Sequence, residues 1–387
     1  MLKIKYLIEK SLALCLLIFN LFPIKKRVIF SSFSGRQYSD SPKAISDYIL
    51  ENYPDIKVVW AFINPKNFEV NPKIKKVKYK SLSYIYYALT SRVYVDNVEV
   101  WSLLRFRKAQ TVIQTWHGGG AYKRVGVDRL DVGDLHKKHS VDKMNRMNIF
   151  LSSGKMFTEK VIRSAFGFKG EVLEIGLPRN DRLKKATEAE INALKEKIGL
   201  KADSKVVIYA PTFRNSLSLD PYSLDIQKLS ETLKEKFGGE WTVLLRLHYY
   251  MDNKLFKSNA QNTIDVTSYP DMQELLMVSD VLVTDYSSSM WDFSLNFKPC
   301  FLYATDMKEY SGERDFYTRP ETWPFKIAEN NEALSQVIKD FDLTDYAKKV
   351  AEHHLALGNS ESGNATKIIG ERIIEILNFK FGGTKCL

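Results

Sequence analysis

Short apolar strands alternate with helix-forming stretches along most of this chain, in two successive series. In the first, RVIFS at 27–31 leads through a Ser/Gly loop into a helix over 41–52, with Pro42 in its first turn. KVVWAFI at 57–63, Val93–Val95, TVIQT at 111–115, Asn148–Ser152 and Val172–Ile175 read as further strands. A charged stretch at 184–202, KKATEAEINALKEKIGLKA, reads as a helix and a junction. The second series runs KVVIY at 205–209, a helix over 224–237, TVLLR at 242–246, a helix over 272–278, VLVT at 281–284, a helix over 288–296 and a strand over 299–302. Strands separated by helices need crossover connections, which build parallel sheets from βαβ units. The expected fold class is therefore α/β, with two Rossmann-like, doubly wound domains facing a central cleft. Their expected bounds are 28–195 and 196–387, after a separate segment at 1–27.

That first segment carries SLALCLLIFNLF at 11–22, between Lys10 and Pro23. The run is too short to cross about 30 Å of hydrocarbon as a helix, and no stretch of about 20 apolar residues occurs elsewhere, which excludes a polytopic membrane protein. Six cations (Lys3, Lys5, Lys10, Lys25, Lys26 and Arg27) stand against Glu9 alone in residues 1–30. An apolar run flanked by cations predicts a helix lying in the interface of an anionic membrane. The alternatives are a helix packed on the protein's own core and a cleaved signal, the latter without a small-residue cleavage site. Two further basic clusters lie at Lys73–Lys80 and Arg105–Arg146, and the formal net charge is +11. Such a balance attracts a polyanion without saying which, or reflects ordinary solvated lysines. Three distant cysteines and no HExxH pair exclude a disulfide scaffold, a cysteine zinc site and a zincin. A reduced, cytosolic compartment suits this cysteine usage.

Four segments carry the chemistry, each at a strand end. QTWHGGGAYK at 114–123 places His117 before three glycines, where backbone can approach a ligand and an imidazole can act as a base near neutrality. YAPTFR at 209–214 offers the Thr212 hydroxyl and the Arg214 guanidinium, a pair suited to phosphate. LLRLHYY at 244–250 puts Arg246 and His248 on one face by strand alternation. SDVLVTDYSSSMWDF at 279–293 runs from a buried strand through Asp285 into Ser287 and Ser288 at a helix start, where backbone N–H groups and hydroxyls receive anions. Each segment also has a plain reading, respectively a glycine turn, a surface loop, a core histidine and an N-cap.

These four segments, with FSSFSGRQYSDSPKAI at 30–45, resemble the CDP-glycerol:poly(glycerophosphate) glycerophosphotransferases over residues 28–320. The resemblance implies a GT-B fold and peripheral association with the cytoplasmic face of the membrane. It also implies transfer of glycerol phosphate from CDP-glycerol to an acceptor hydroxyl, with release of CMP, in teichoic acid or capsule synthesis. By the same resemblance, the 28–195 half takes the acceptor and the 196–387 half the donor. His117 matches the family's general base and His248 its second essential histidine. Thr212, Arg214, Arg246, Asp285, Ser287 and Ser288 fall on the donor side, and Gly118, Gly119 and Lys123 on the acceptor side. Many members have Thr-Pro after the WHG, whereas this chain has Gly119 and Gly120.

The implied partners are CDP-glycerol, a lipid-linked glycan or polyol-phosphate acceptor, and an anionic membrane surface. No cofactor, no protein-held metal and no nucleic acid are expected. A ribitol-phosphate donor and a GT-B nucleotide-sugar glycosyltransferase are the enzymatic alternatives. A basic protein that only binds polyanions is the third reading, against which stands the absence of RNA-recognition, KH and zinc-finger motifs.

Overall fold

The structure, a computed structural model, describes residues 11–212, 223–247, 262–307, 310 and 315–379. The chain divides into two compact units, Met1–His117 with Gly133–Asp181 and Ser360–Leu387, and Gly118–Val132 with Arg182–Asn359.

The first unit is built on β1 (Lys25–Ser31), β2 (Lys57–Phe62), β3 (Lys75–Lys78), β4 (Ser91–Asp96), β5 (Thr111–Gln114), β6 (Ile149–Leu151) and β7 (Glu171–Leu173). They form one parallel sheet in the order 3-2-1-4-5-6-7. Val28 of β1 pairs with Val58 of β2 on one side and Val93 of β4 on the other. Helices cover such a sheet, so its central strands read as unbroken apolar runs. Phe30, Trp60, Phe62, Val95 and Ile113 share a core with Ile45 and Ile49 of the helix Asp40–Asn52 and with Ile369, Ile373 and Leu377 of the helix Ala365–Asn378.

The second unit carries β8 (Lys205–Tyr209), β9 (Trp241–Leu245), β10 (Thr263–Asp265), β11 (Val281–Thr284), β12 (Cys300–Tyr303) and β13 (Lys326–Ala328), parallel in the order 10-9-8-11-12-13. In each sheet the first strand lies inside, and the winding reverses beside it. The two switch points, β1/β4 and β8/β11, are where open α/β sheets bind ligands at the carboxyl ends of their strands.

The α/β class and the parallel sheets are as expected, but the division of the chain is not. The charged stretch falls wholly in the second unit. It takes in the end of the helix Asp181–Lys185 and all of the helix Glu188–Ile198, the latter opened by a Thr187/Glu190 capping box and closed by left-handed Gly199. The last helix returns to the first unit. Its apolar stripe is visible in the sequence, but periodicity does not say which sheet the stripe covers. Strand β3 also escaped the sequence reading. Only Val77 of its four residues is buried, and Lys75, Lys76 and Lys78 are exposed along a sheet edge, which lysines protect from further pairing.

At the amino end, residues 11–15 are helical and Leu16–Leu21 form a 3-10 turn with no buried residue. Arg107 Nη1 donates to the carbonyls of Asn20 and Phe22 at 3.0 and 2.9 Å, and the Phe22 ring meets Tyr86 edge-on at 5.4 Å. The segment is thus seated on the first unit, yet Leu12, Leu14, Leu17, Ile18, Leu21 and Phe22 remain exposed. Among the described residues, no helix is long and apolar enough to cross a membrane.

Candidate active site

The first switch point gathers three strand ends. β1 runs into Ser32–Gly35, β4 into Asn97, and β5 into Thr115, Trp116 and His117. His117 is partly exposed, and its Nδ1 lies 2.7 Å from the Asn97 carbonyl oxygen. A carbonyl only accepts, so Nδ1 carries the proton and the lone pair of the neutral ring sits on Nε2. The ring is flanked by Trp116 and Phe33, with centroids at 4.4 and 5.6 Å. Preceding Asn97 in the chain, the wholly buried Asp96 accepts from Val98 N–H at 3.0 Å and from the Tyr94 hydroxyl at 2.9 Å. Burial pushes the Asp96 carboxyl up to about 7, although these bonds pull the other way.

The second switch point holds the donor-side residues. Asp285, at the end of β11, is buried and accepts from Thr212 N–H at 2.9 Å, from the Thr212 hydroxyl and from Tyr286 N–H. Its carboxylate ties the loop after β8 to the loop after β11. That is a different task from meeting a donor phosphate, which a bare carboxylate would repel. Ser287 and Ser288 are partly exposed just before the helix Ser289–Ser294. Ser287 Oγ accepts from Ser289 N–H at 3.3 Å, whereas Ser288 makes no side-chain capping bond. Arg246 follows β9, and its Nη1 donates to the carbonyls of Val266 and Tyr269 at 3.3 and 2.7 Å. The guanidinium therefore has structural work in addition to the charge expected of it. His248 and Arg214 lie outside the described residues.

The glycine segment after His117 belongs to the second unit. A Cβ on Gly119 would lie 2.4 Å from Trp291 Cδ1, and one on Gly120 would lie 2.4 Å from Tyr122 Cε2. Gly120 also has φ +78°. The Gly119-Gly120 departure from the family pattern thus has a steric counterpart in the buried indole of Trp291. Lys123 forms an antiparallel bridge with Phe316, and Tyr317 N–H donates to the Tyr122 carbonyl at 2.8 Å. The Tyr122 hydroxyl meets His353 Nε2 at 2.9 Å. Gly119 is thereby fixed by its packing against Trp291, and the Lys123 backbone is held by its bridge to Phe316.

His353 and its neighbour His354 are both pushed down to about 4, first by burial. In the unfolded chain they take up protons near 6.5. Stability is therefore complete above about pH 6.5 and is lost as pH falls toward 4, by on the order of 3 kcal/mol for each histidine. Urea melts of the parent and of the His353→Gln/His354→Gln pair, compared at pH 7 and pH 4.5, should show a smaller pH slope in the variant. An unchanged slope would assign the acid sensitivity to other groups.

Among the described residues no group of three or more His, Cys, Asp or Glu side chains lies together as a metal site. Asn97 is not among the residues singled out from the sequence, and the Ser32–Gly35 loop enters there only as a Ser/Gly loop within the 30–45 stretch. The polar Asp-Asn pair closing the apolar run VYV at 93–95 was the available signal.

The family profile described as CDP-glycerol:poly(glycerophosphate) glycerophosphotransferase matches residues 15–375. The chain belongs to this family. The resemblance read from the four motifs is thereby borne out, and with it the reading of the chain as a transferase. The teichoic acid poly(glycerol phosphate) polymerase of Staphylococcus epidermidis is 34% identical over 90% of this chain, which spans only 50% of that protein. The teichoic acid glycerol-phosphate transferase of Staphylococcus aureus is 30% identical over 96% of this chain and 99% of its own length. Among solved structures, a histidine-to-asparagine variant of the wall teichoic acid polymerase TagF soaked with CDPG superposes with a TM-score of 0.84. It is 31% identical, with 97% of this chain and 96% of that chain covered.

Proposed function

We propose that this glycerophosphotransferase family member is a GT-B enzyme that transfers glycerol phosphate from CDP-glycerol to a hydroxyl of a lipid-linked or polyol-phosphate acceptor. The pathway is teichoic acid or capsular polysaccharide synthesis. The observation that carries the reading is the His117 imidazole at the first switch point, held with its proton on Nδ1. The acceptor oxygen attacks the glycerol-bearing phosphorus, and its proton passes to His117 Nε2. The bond from that phosphorus to the oxygen of the CMP phosphate breaks, and CMP leaves with the electron pair. Phosphoryl transfer is catalysed mainly by positioning and charge stabilisation. Ser287 and Ser288 are assigned to the donor pyrophosphate, with Thr212 and Arg214 beside it. Arg246 and His248 offset the charge that grows on CMP, and the reading calls for no protein-held metal.

Glycerol rather than ribitol phosphate is preferred because the S. aureus glycerol-phosphate transferase matches nearly end to end. Calorimetric titration with CDP-glycerol, CDP-ribitol and a UDP-sugar tests the donor. CDP-glycerol should bind tightest, and preference for the UDP-sugar would overturn the reading.

The enzyme is also proposed to sit peripherally on the cytoplasmic membrane face, through the exposed apolar side of residues 12–22. Apolar burial and flanking cations are the two contributions such binding needs. Replacing Leu14, Ile18 and Leu21, all exposed, with Glu leaves the Arg107 and Tyr86 anchors in place. The variant should remain folded and lose most of its cosedimentation with phosphatidylglycerol vesicles. Undiminished cosedimentation would remove the segment from the membrane contact.

A further inference from the structure

We infer that Asn97 is a positioning residue for His117, holding the carbonyl that fixes the imidazole's tautomer and tethering the Ser32–Gly35 loop beside the ring. This rests on the reading of His117 as the base.

Three observations carry it. First, the acceptor for His117 Nδ1 is the main-chain oxygen of Asn97 itself, at 2.7 Å. The direction of that carbonyl therefore decides which ring nitrogen holds the proton. Second, the Asn97 side chain is wholly buried and bonded through both ends of its amide. Its Oδ1 accepts from Phe33 N–H at 2.8 Å, and its Nδ2 donates to Ser32 Oγ at 3.3 Å. The preceding peptide is fixed as well, because the Asp96 carbonyl accepts from Thr115 N–H at 2.9 Å. Third, the loop that Asn97 holds is one the chain would not adopt unaided. Phe33, Ser34 and Gly35 have φ of +46°, +56° and +79°. Left-handed backbone costs a non-glycine residue roughly 1–2 kcal/mol. In this conformation Phe33 N–H reaches Asn97 while the Phe33 ring lies against the imidazole. One amide thus joins the ends of β1 and β4 across the switch point and braces the side chain delivered by β5.

Aspartate at 97 keeps an acceptor for Phe33 N–H, loses the donor to Ser32 and adds a negative charge near the ring. Asn97→Asp should lower kcat by about tenfold or more, since small misplacements of a reacting group are expensive in rate. The donor KM should be unchanged. The limb of the pH–rate profile set by the base should move up by about half a unit or more, because a nearby negative charge favours the imidazolium. A role confined to folding would lower the melting temperature and leave the pH limb where it was, which would overturn the inference.

Should the variant fail to fold, the nitrogen-15 spectrum of histidine-labelled parent enzyme decides. The His117 signals, assigned by their loss in His117→Ala, should show a protonated Nδ1 in the neutral ring. A neutral ring protonated at Nε2 would contradict the positioning. The two readings separate cleanly. Near-normal turnover in His117→Ala removes the base itself. A dead His117→Ala beside an unmoved profile in Asn97→Asp removes only the role of Asn97.

Discussion

His117→Ala is expected to bind CDP-glycerol as the parent does and to turn it over at least about 10²-fold more slowly, the ordinary cost of losing a general base. The donor-side residues described here lie in the second unit and His117 lies in the first, so removing the imidazole leaves the donor anchors intact. Its Nδ1 is committed to the Asn97 carbonyl, which aims the basic nitrogen without changing the charge of the site. Single-turnover measurement at saturating acceptor separates this from weakened acceptor binding. Near-normal turnover there would require another base.

Asp285→Ala should be the most damaging change on the donor side, although the carboxylate need not touch the donor. The change removes the acceptor for Thr212 N–H, the Thr212 hydroxyl and Tyr286 N–H together. Leaving buried donors without a partner costs about 1–3 kcal/mol each, so a loss of about 3 kcal/mol in unfolding free energy is expected. Because the same loops carry Thr212, Ser287 and Ser288, donor affinity should fall at least about tenfold even in the folded fraction. Asp285→Asn keeps one acceptor oxygen and should lie between the two. Urea melts together with calorimetric donor titration check both effects. Full donor affinity in a folded Asp285→Ala would show that the tie does not shape the donor site.

How much of this was legible in the sequence depends on how local the cause is. The run VLVTDYSSS announced itself because a strand buried on both faces is apolar throughout and the polar switch marks its carboxyl end. The segment TVIQTWHGGG did so for the same reason. KKVK of β3 has one inward residue and three lysines, so no run or alternation marks it as a strand. KIA of β13 is three residues long and lacks a pattern of its own. The partnership of His117 with Asn97 and of Asn97 with Phe33 spans 20 and 64 residues of chain, and it exists only because β1, β4 and β5 lie side by side. The resemblance sets Asp285 on the donor side without saying what it holds. Its tie to Thr212 crosses 73 residues and needs β8 and β11 to be neighbours. Trp291 likewise explains Gly119 only once the second unit has folded around both.

The nucleotide released from CDP-glycerol in the presence of a lipid-linked acceptor reveals which bond of the donor breaks. Attack on the glycerol-bearing phosphorus releases CMP and leaves the phosphate on the acceptor, so CMP should appear in step with acceptor-bound glycerol phosphate. It should fall at least about 10²-fold in His117→Ala. Release of CDP with glycerol transferred alone, or turnover of a UDP-sugar in place of CDP-glycerol, would contradict the account.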